Sequence, residues 1–347
     1  MGDHYGTVKV AAVQAASVFL DREGSTEKAC RLIREAGRNG ARVIGLPEGF
    51  IPAHPVWYHH HAASGKIAND LAVELFKNSV EIPGPEIDTL CAAARDANAY
   101  VMIGVCEKIP NTIGTMFNTQ VYIGPDGRLI RKHQKIMPTV GERLVHTGGH
   151  GDTFGAFQSE FGPMSGLICG ENSNPLAVFA LIAEGTRIHV MSWPNHFPTS
   201  GDPLRNRVAI DTQAFAQMSK AFVISACGTV DEDMIKKLKT GPEGEKFLRD
   251  PNCCGGSMIV DPLSRIIAGP MGAEEGILYA DCNLDLGIQM KLRHDFAGHY
   301  NRPDIFQLHI NRAAPQLYRV HNDPAALPGA ADEALPPPLS RLAPPDE

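Results

Sequence analysis

A layered α/β domain with mixed sheets is what this chain predicts, on three observations. Short apolar, β-branched runs recur along it. Segments of helical periodicity separate many of them. A Pro-Asp-Gly turn also joins two neighbouring runs as a hairpin, so the pairing is not purely parallel. The runs are VKVAAVQA (8–15), ARVIGLPE (41–48), AYVMIGVCEK (99–108), NTQVYIG (118–124), GLICGE (166–171), IHVMSW (188–193), AFVISACG (221–228), SMIVDP (257–262) and ILYADCN (277–283), and the hairpin turn falls at Asp126–Gly127.

The helical segments follow from spacing. In STEKACRLIREAGRNG, Ala29, Leu32, Ile33 and Ala36 share one face, with Ser25 as the expected N-cap. GPEIDTLCAAARDANA (84–99) and DPLRNRVAIDTQAFAQMSKA (202–221) read likewise. In LAVFALIAEG (176–185), Leu176, Phe179 and Ile182 are expected on the buried face, with the helix ending near Gly185. After about Leu317 the sequence turns rich in Pro, Ala and acid without periodicity. The expected organisation is one domain over residues 1–317 and a disordered or loosely docked tail over 318–347.

Composition narrows the function classes. The chain of 347 residues is 43% hydrophobic and 20% charged, with net charge −7. Nothing forms a basic stripe, so neither nucleic acid nor an acidic membrane is an expected partner. No apolar run approaches spanning length, and MGDHYGTVKV lacks the pattern of a signal peptide. The eight cysteines form no CxxC pair, and the adjacent Cys253 and Cys254 suit neither zinc nor a disulfide framework. A reduced, cytoplasmic protein is the expectation.

Chemistry is suggested where LICGENSNP (167–175) breaks an apolar run at Cys169 and continues into helix-capping residues and Pro175. A thiol on a strand-to-helix elbow meets unpaired N–H groups and the positive end of a helix, which favour a thiolate nucleophile. A small buried hydrophobe is the other reading of Cys169. Cys106, Cys227 and Cys282 lie inside strand patterns and read as packing. Glu48 ends ARVIGLPE just after Pro47, as a cleft carboxylate or a solvated one. Lys135 lies in RLIRKHQKIMPT, at the end of the strand after the hairpin turn, as a functional cation or part of an exposed edge.

Taken in order, GLPEGF, RKHQKIMPT and LICGENSNP closely resemble the nitrilase branch of the carbon–nitrogen hydrolase superfamily. VAAVQA, IPAHPVW, FNTQVYIGPDG, GERLV and DFAGHYNRPDIF extend the resemblance over roughly residues 7–307. It implies a four-layer α-β-β-α sandwich and a Glu–Lys–Cys triad. Cys169 matches the nucleophile, Glu48 the general base and acid, Lys135 the cationic stabiliser, and Glu142 of GER a second glutamate that positions substrate and lysine. It implies hydrolysis of an organic nitrile to carboxylic acid and ammonia through thioimidate and thioester intermediates. It also implies a homo-oligomer, a dimer or spiral, and no cofactor or metal. Glu171, two residues after the cysteine, resembles nitrilases rather than amidases. The alternatives are an amidase or carbamoyl hydrolase, a cyanide hydratase or dihydratase, and a non-catalytic scaffold of the same fold.

The substrate-side expectations are Gly170, Trp193, Trp57 and Phe197. Gly170 stands where many nitrilases carry Trp, and leaves room beside the thiol. The two Trp and the Phe follow strand ends and suit an aromatic pocket, although packing uses the same residues. His59, His60 and His61 read as loop residues, since adjacent histidines do not readily face one ion. His299 and Tyr300, in GHYNRPD, are expected to support the site rather than transfer protons.

Overall fold

The computed structural model describes residues 3, 5–198, 201–314 and 316. Its strands are β1 (Thr7–Gln14), β2 (Val43–Gly45), β3 (Tyr100–Lys108), β4 (Met116–Ile123), β5 (Leu129–Gln134), β6 (Phe157–Ser159), β7 (Gly162–Ile168), β8 (Ile188–Trp193), β9 (Phe222–Cys227), β10 (Met258–Val260), β11 (Ile266–Ala268) and β12 (Gly276–Asn283). They form two six-stranded sheets, ordered β12-β1-β2-β3-β4-β5 and β11-β10-β9-β8-β7-β6. The β1–β2–β3 and β7–β8–β9 neighbours are parallel, and the outer strands pair antiparallel. Both sheets are therefore mixed, as the alternating runs and the hairpin at Asp126–Gly127 predicted.

Helices cover the outer faces. Ala29, Ile33 and Ala36 of α1 (Arg22–Arg38) and Ile87, Leu90 and Ala94 of α3 (Pro85–Ala97) pack on the first sheet. Between them in sequence, α2 (Lys66–Asn78) packs beside Trp57. On the second sheet, α4 (Pro175–Ala183) and α5 (Leu204–Ser219) bury Val178, Leu181, Val208 and Phe215. Short α6 (Glu232–Leu238), α7 (Gly241–Leu248) and α8 (Asp285–Lys291) complete the described helices. The result is the expected α-β-β-α sandwich. No described helix is long and apolar enough to cross a membrane.

The sheets meet through side chains of both: Val10, Val43, Met102 and Tyr122 against Met164, Val190 and Ile224. Glycine permits the approach, since a Cβ at Gly45 would stand 2.8 Å from Val190 Cγ1. Polar ties fix the match across the interface. Gln120 Nε2 donates to Ser192 Oγ at 2.7 Å, Ser192 Oγ to Leu46 O at 2.8 Å, and the Tyr122 hydroxyl to Gly166 O at 3.0 Å.

Local departures have local causes. The N-cap of α1 is Asp21, whose side chain accepts from Gly24 N at 2.9 Å; Ser25 lies inside the helix, buried, and donates to Val18 O. β2 stops at Gly45, two residues before Pro47, which has no N–H for a ladder. Leu176 is exposed, because α4 turns Ala177, Val178 and Leu181 inward instead. The segment 318–347, expected to be a tail, lies outside the described residues.

Gly104 in β3 leaves no room for a side chain. A Cβ there would come within 2.5 Å of Gly49 N and 2.6 Å of Glu48 Cα. Gly104→Ala is expected to lower unfolding stability by about 1–3 kcal/mol through overpacking, read from the urea midpoint. An unchanged midpoint would show that the Glu48 loop yields freely.

Candidate active site

The segments that follow parallel strands β2 and β8 meet between the two sheets, at the carboxyl ends where α/β sheets commonly bind ligands. Glu48 follows β2 in the first sheet, and Cys169 follows β7 in the second. The Glu48 N–H donates to Trp193 O at the end of β8, 3.1 Å away, so the two sheets are pinned together at the site itself. Lys135 follows β5, its N–H held by Asn118 O at 2.8 Å and its carbonyl by Gly149 N at 2.7 Å. Glu142 belongs to a 3-10 turn, Val140–Leu144, closed by a Thr139–Glu142 capping box.

Their side chains converge out of water. Lys135 Nζ lies 2.7 Å from Glu48 Oε1 and 2.6 Å from Glu142 Oε2, and all three side chains are buried. Asn118 of β4 bridges the same carboxylates from the other side, its Nδ2 at 2.7 Å from Glu48 Oε1 and 2.6 Å from Glu142 Oε1. Thr139 N donates to Glu142 Oε2 at 2.8 Å. Glu48 Oε2 is left buried without a partner among the described residues.

Electrostatics separates the two carboxyls. Burial opposes the charge on Lys135, but Glu48 and Glu142 outweigh it and hold the ammonium well above its ordinary pKa. Burial also works against a charged Glu142, yet Lys135 and His146 keep it well below the usual carboxylate range. Glu48 goes the other way: burial, with help from the Glu142 charge, raises it to about 7 against the pull of Lys135. One carboxyl is thus a fixed anion and the other is poised to gain or lose a proton near neutrality.

The expectation of a ready thiolate at Cys169 needs correcting. A 3-10 turn, Cys169–Ser173, intervenes before α4 begins at Pro175, with Asn174 as the helix cap. The helix dipole is therefore displaced from the sulfur. Burial raises the Cys169 pKa well above the ordinary thiol, Glu48 adds to it, and Lys135 and the Gly170 N–H only partly counter. The resting group is a thiol with a raised-pKa carboxyl nearby.

The elbow is held by groups that the expectations passed over. Cys169 has φ +51°, a left-handed conformation costly for a residue with a Cβ. Asn172 Nδ2 donates to Cys169 O at 2.8 Å, and Asn172 Oδ1 contacts His189 Nε2 at 2.9 Å. Burial keeps His189 neutral, with its pKa lowered to about 3, and its ring stacks on Phe215 at 3.8 Å. Glu171 accepts from Ile168 N, Ile136 N and His133 Nε2 at 3.0, 2.6 and 3.0 Å. It ties the elbow to the residue after Lys135. Polar residues inside apolar runs were the available signal: Asn118 to Gln120 in β4, and His189 in β8.

A cavity of about 320 Å³ opens beside Cys169, lined by Gly170, Trp193, Phe197 and a wall of α5. A Cβ on Gly170 would meet only Thr139 Oγ1, at 3.8 Å, so the room expected there exists. Trp57 is elsewhere: it is buried in the core edge-on to Phe19, and is not among the cavity's lining residues. His59 and His60 pack against His196, Phe197 and Phe247. His299 and Tyr300 line other depressions, away from Cys169. Ligand atoms of Glu48, His54 and Glu142 lie within 4.8 Å of one another, but the Lys135 ammonium already bonds both carboxylates where a metal cation would compete.

The model of the carbon–nitrogen hydrolase family matches residues 9–291. A protein named nitrilase 2, from an unknown prokaryotic organism, is 34% identical over 90% of this chain and 95% of its own. An aliphatic nitrilase of Sinorhizobium fredii is 35% identical over 87% and 95%, and an arylacetonitrilase of Hypocrea virens 32% identical over 90% and 94%. Among solved structures, the C. elegans NitFhit protein superposes with TM-score 0.68 at 18% identity, covering 91% of this chain and 70% of that one.

The buried cluster yields a stability prediction that needs no substrate. Lys135→Met leaves two buried carboxyls competing for one charge, with an expected loss of about 3–5 kcal/mol in urea unfolding. Lys135→Met/Glu142→Gln should recover part of it. Equal losses in single and double variants would show that the carboxyls do not interact through Lys135.

Proposed function

The chain belongs to the carbon–nitrogen hydrolase family, and from that premise we propose that it is a nitrilase, acting through Cys169, Glu48, Lys135 and Glu142. The observation that carries the reading is the buried Glu48–Lys135–Glu142 cluster, whose charges act on the half-buried Cys169 thiol at the edge of a cavity. Relatives over nearly the whole chain named as nitrilases favour nitriles over amides. Aliphatic and arylaliphatic names occur at similar identity, so they do not choose between those substrates.

In this mechanism Glu48 takes the thiol proton as sulfur adds to the nitrile carbon, and returns it to the nitrogen of the thioimidate. Glu48 then removes a proton from water as it adds to the same carbon. The tetrahedral intermediate forms beside the Lys135 ammonium and the Gly170 N–H, which offset its negative charge. Glu48 hands that proton, and then the proton of the new hydroxyl, to nitrogen, which leaves as ammonia as the carbonyl forms; a thioester remains and Glu48 is ionised again. A second water, activated in the same way, releases the carboxylic acid and restores the thiol. Glu142 stays ionised and keeps Lys135 charged throughout.

Each step asks one carboxyl to change protonation, which suits a group raised to about 7. Residence in the cytoplasm and assembly into a homo-oligomer belong to the same reading. The exposed apolar side chains of Leu176, Ile305 and Phe306 support the assembly.

Acid and ammonia should form from nitriles, and Cys169→Ala should abolish both. Turnover of matching amides alone would keep the thiol chemistry and reject the nitrile assignment. The pH profile supplies a second check. The ionised Glu48 is the base, so kcat/KM should rise with pH through a limb near 7. Glu142→Gln removes a negative neighbour that raises Glu48, so the limb should move to lower pH. A limb that holds its position or moves up would remove Glu48 from the role of base.

A further inference from the structure

We infer that the cavity beside Cys169 reads a hydrogen-bond donor on the far end of its nitrile, best a primary ammonium, through the carboxylate of Asp211. The inference rests on the nitrilase reading above and names the substrate class within it. Helix α5 contributes Leu204, Arg207 and Asp211 to the cavity wall. Their spacing of three and four residues puts them on one helical face. Trp193, Pro194 and Phe197 make the neighbouring wall apolar.

Asp211 has no structural task in view. It is half-buried, and among the described residues it has neither a hydrogen-bond donor nor an ion-pair partner within 4.0 Å. It stands in the middle of α5, so it caps no helix and meets no dipole end. A carboxylate partly withdrawn from water beside an apolar wall loses solvation that a donor on a bound molecule would restore. Burial raises its pKa, and the nearby positive charge of Arg207 works against that rise. Arg207 is exposed, so its own pull on a bound ligand is screened by solvent. The anion is the better shielded of the two charges on this wall, and a donor-bearing substrate satisfies it.

The test compares kcat/KM for three nitriles of equal chain length, ending in ammonium, methyl or carboxylate. The ammonium nitrile should be preferred over its methyl isostere by about tenfold or more, as a charge-assisted hydrogen bond in a partly desolvated site implies. Asp211→Asn should bring that ratio close to one, and Asp211→Glu should retain most of it. Equal use of the ammonium and methyl nitriles by the wild type would overturn the inference without needing any variant, and so would a preference untouched by Asp211→Asn. Turnover of none of the three would instead overturn the nitrilase reading, and this inference with it.

Discussion

Burying an ammonium is the constraint around which this molecule is arranged. Lys135 has no access to water, and an isolated charge in such a place is not sustainable. Two carboxylates within 2.7 Å, from three separate stretches of chain counting the lysine, solve the problem together. Each stretch must then be fixed. Asn118 ties the carboxylates to β4, Thr139 clasps Glu142 by a backbone N–H, and Gly104 lets the Glu48 loop lie against β3. Remove any of these and the charges separate inside a low-dielectric interior.

The same arrangement leaves one surplus negative charge, and that imbalance gives the cluster its chemistry. Two ionised carboxyls and one ammonium sum to minus one, so one carboxyl binds a proton more readily than in water. Glu142 has Lys135, Asn118, Thr139 and His146 around its oxygens, whereas one oxygen of Glu48 has no partner among the described residues. The proton therefore belongs on Glu48. A neutral thiol beside such a carboxyl is consistent with this: a standing thiolate would add a further negative charge to a buried cluster that already carries one too many. Under the proposed mechanism, a thiol that gives up its proton only as it reacts fits that charge count better than a preformed thiolate.

Much of this was legible in sequence, for reasons particular to each residue. The twin sheets were, because strands buried on both faces read as uninterrupted apolar runs; β3 and β8 are examples. Glu48, Lys135 and Cys169 were, because a carboxylate, an amine and a thiol at strand ends interrupt those runs, and because their order resembles a known family. Asn118 was not singled out, since an amide within a strand gives no sign that it lies opposite residues 48 and 142 until the sheet is assembled. Glu171 was legible as a family mark but not as a contact. Its bonds to Ile136 N and His133 show that it fastens the elbow to the lysine-bearing segment. Trp57 failed as a pocket residue because a large aromatic after a strand end fills a core as readily as it lines a cavity.

That fastening bears on how reaction and selectivity divide in this fold. On the proposed reading, the groups around the reacting atoms are locked on every side: Glu48 by the opposite sheet, Lys135 by β4, and the Cys169 elbow by Asn172 and Glu171. Altering any of them disturbs the charge balance, so they offer little freedom to fit different nitriles. Freedom lies in the cavity beyond the sulfur, where Gly170 leaves space and α5 supplies side chains that touch no member of the buried cluster by hydrogen bond or ion pair among the described residues. On the proposed reading, a substituent distant from the nitrile carbon meets the α5 wall and the neighbouring Trp193, Pro194 and Phe197. Its recognition can therefore change with one residue of α5 while the proton economy at Glu48 stays as it is, which separates the choice of substrate from the bond that is broken.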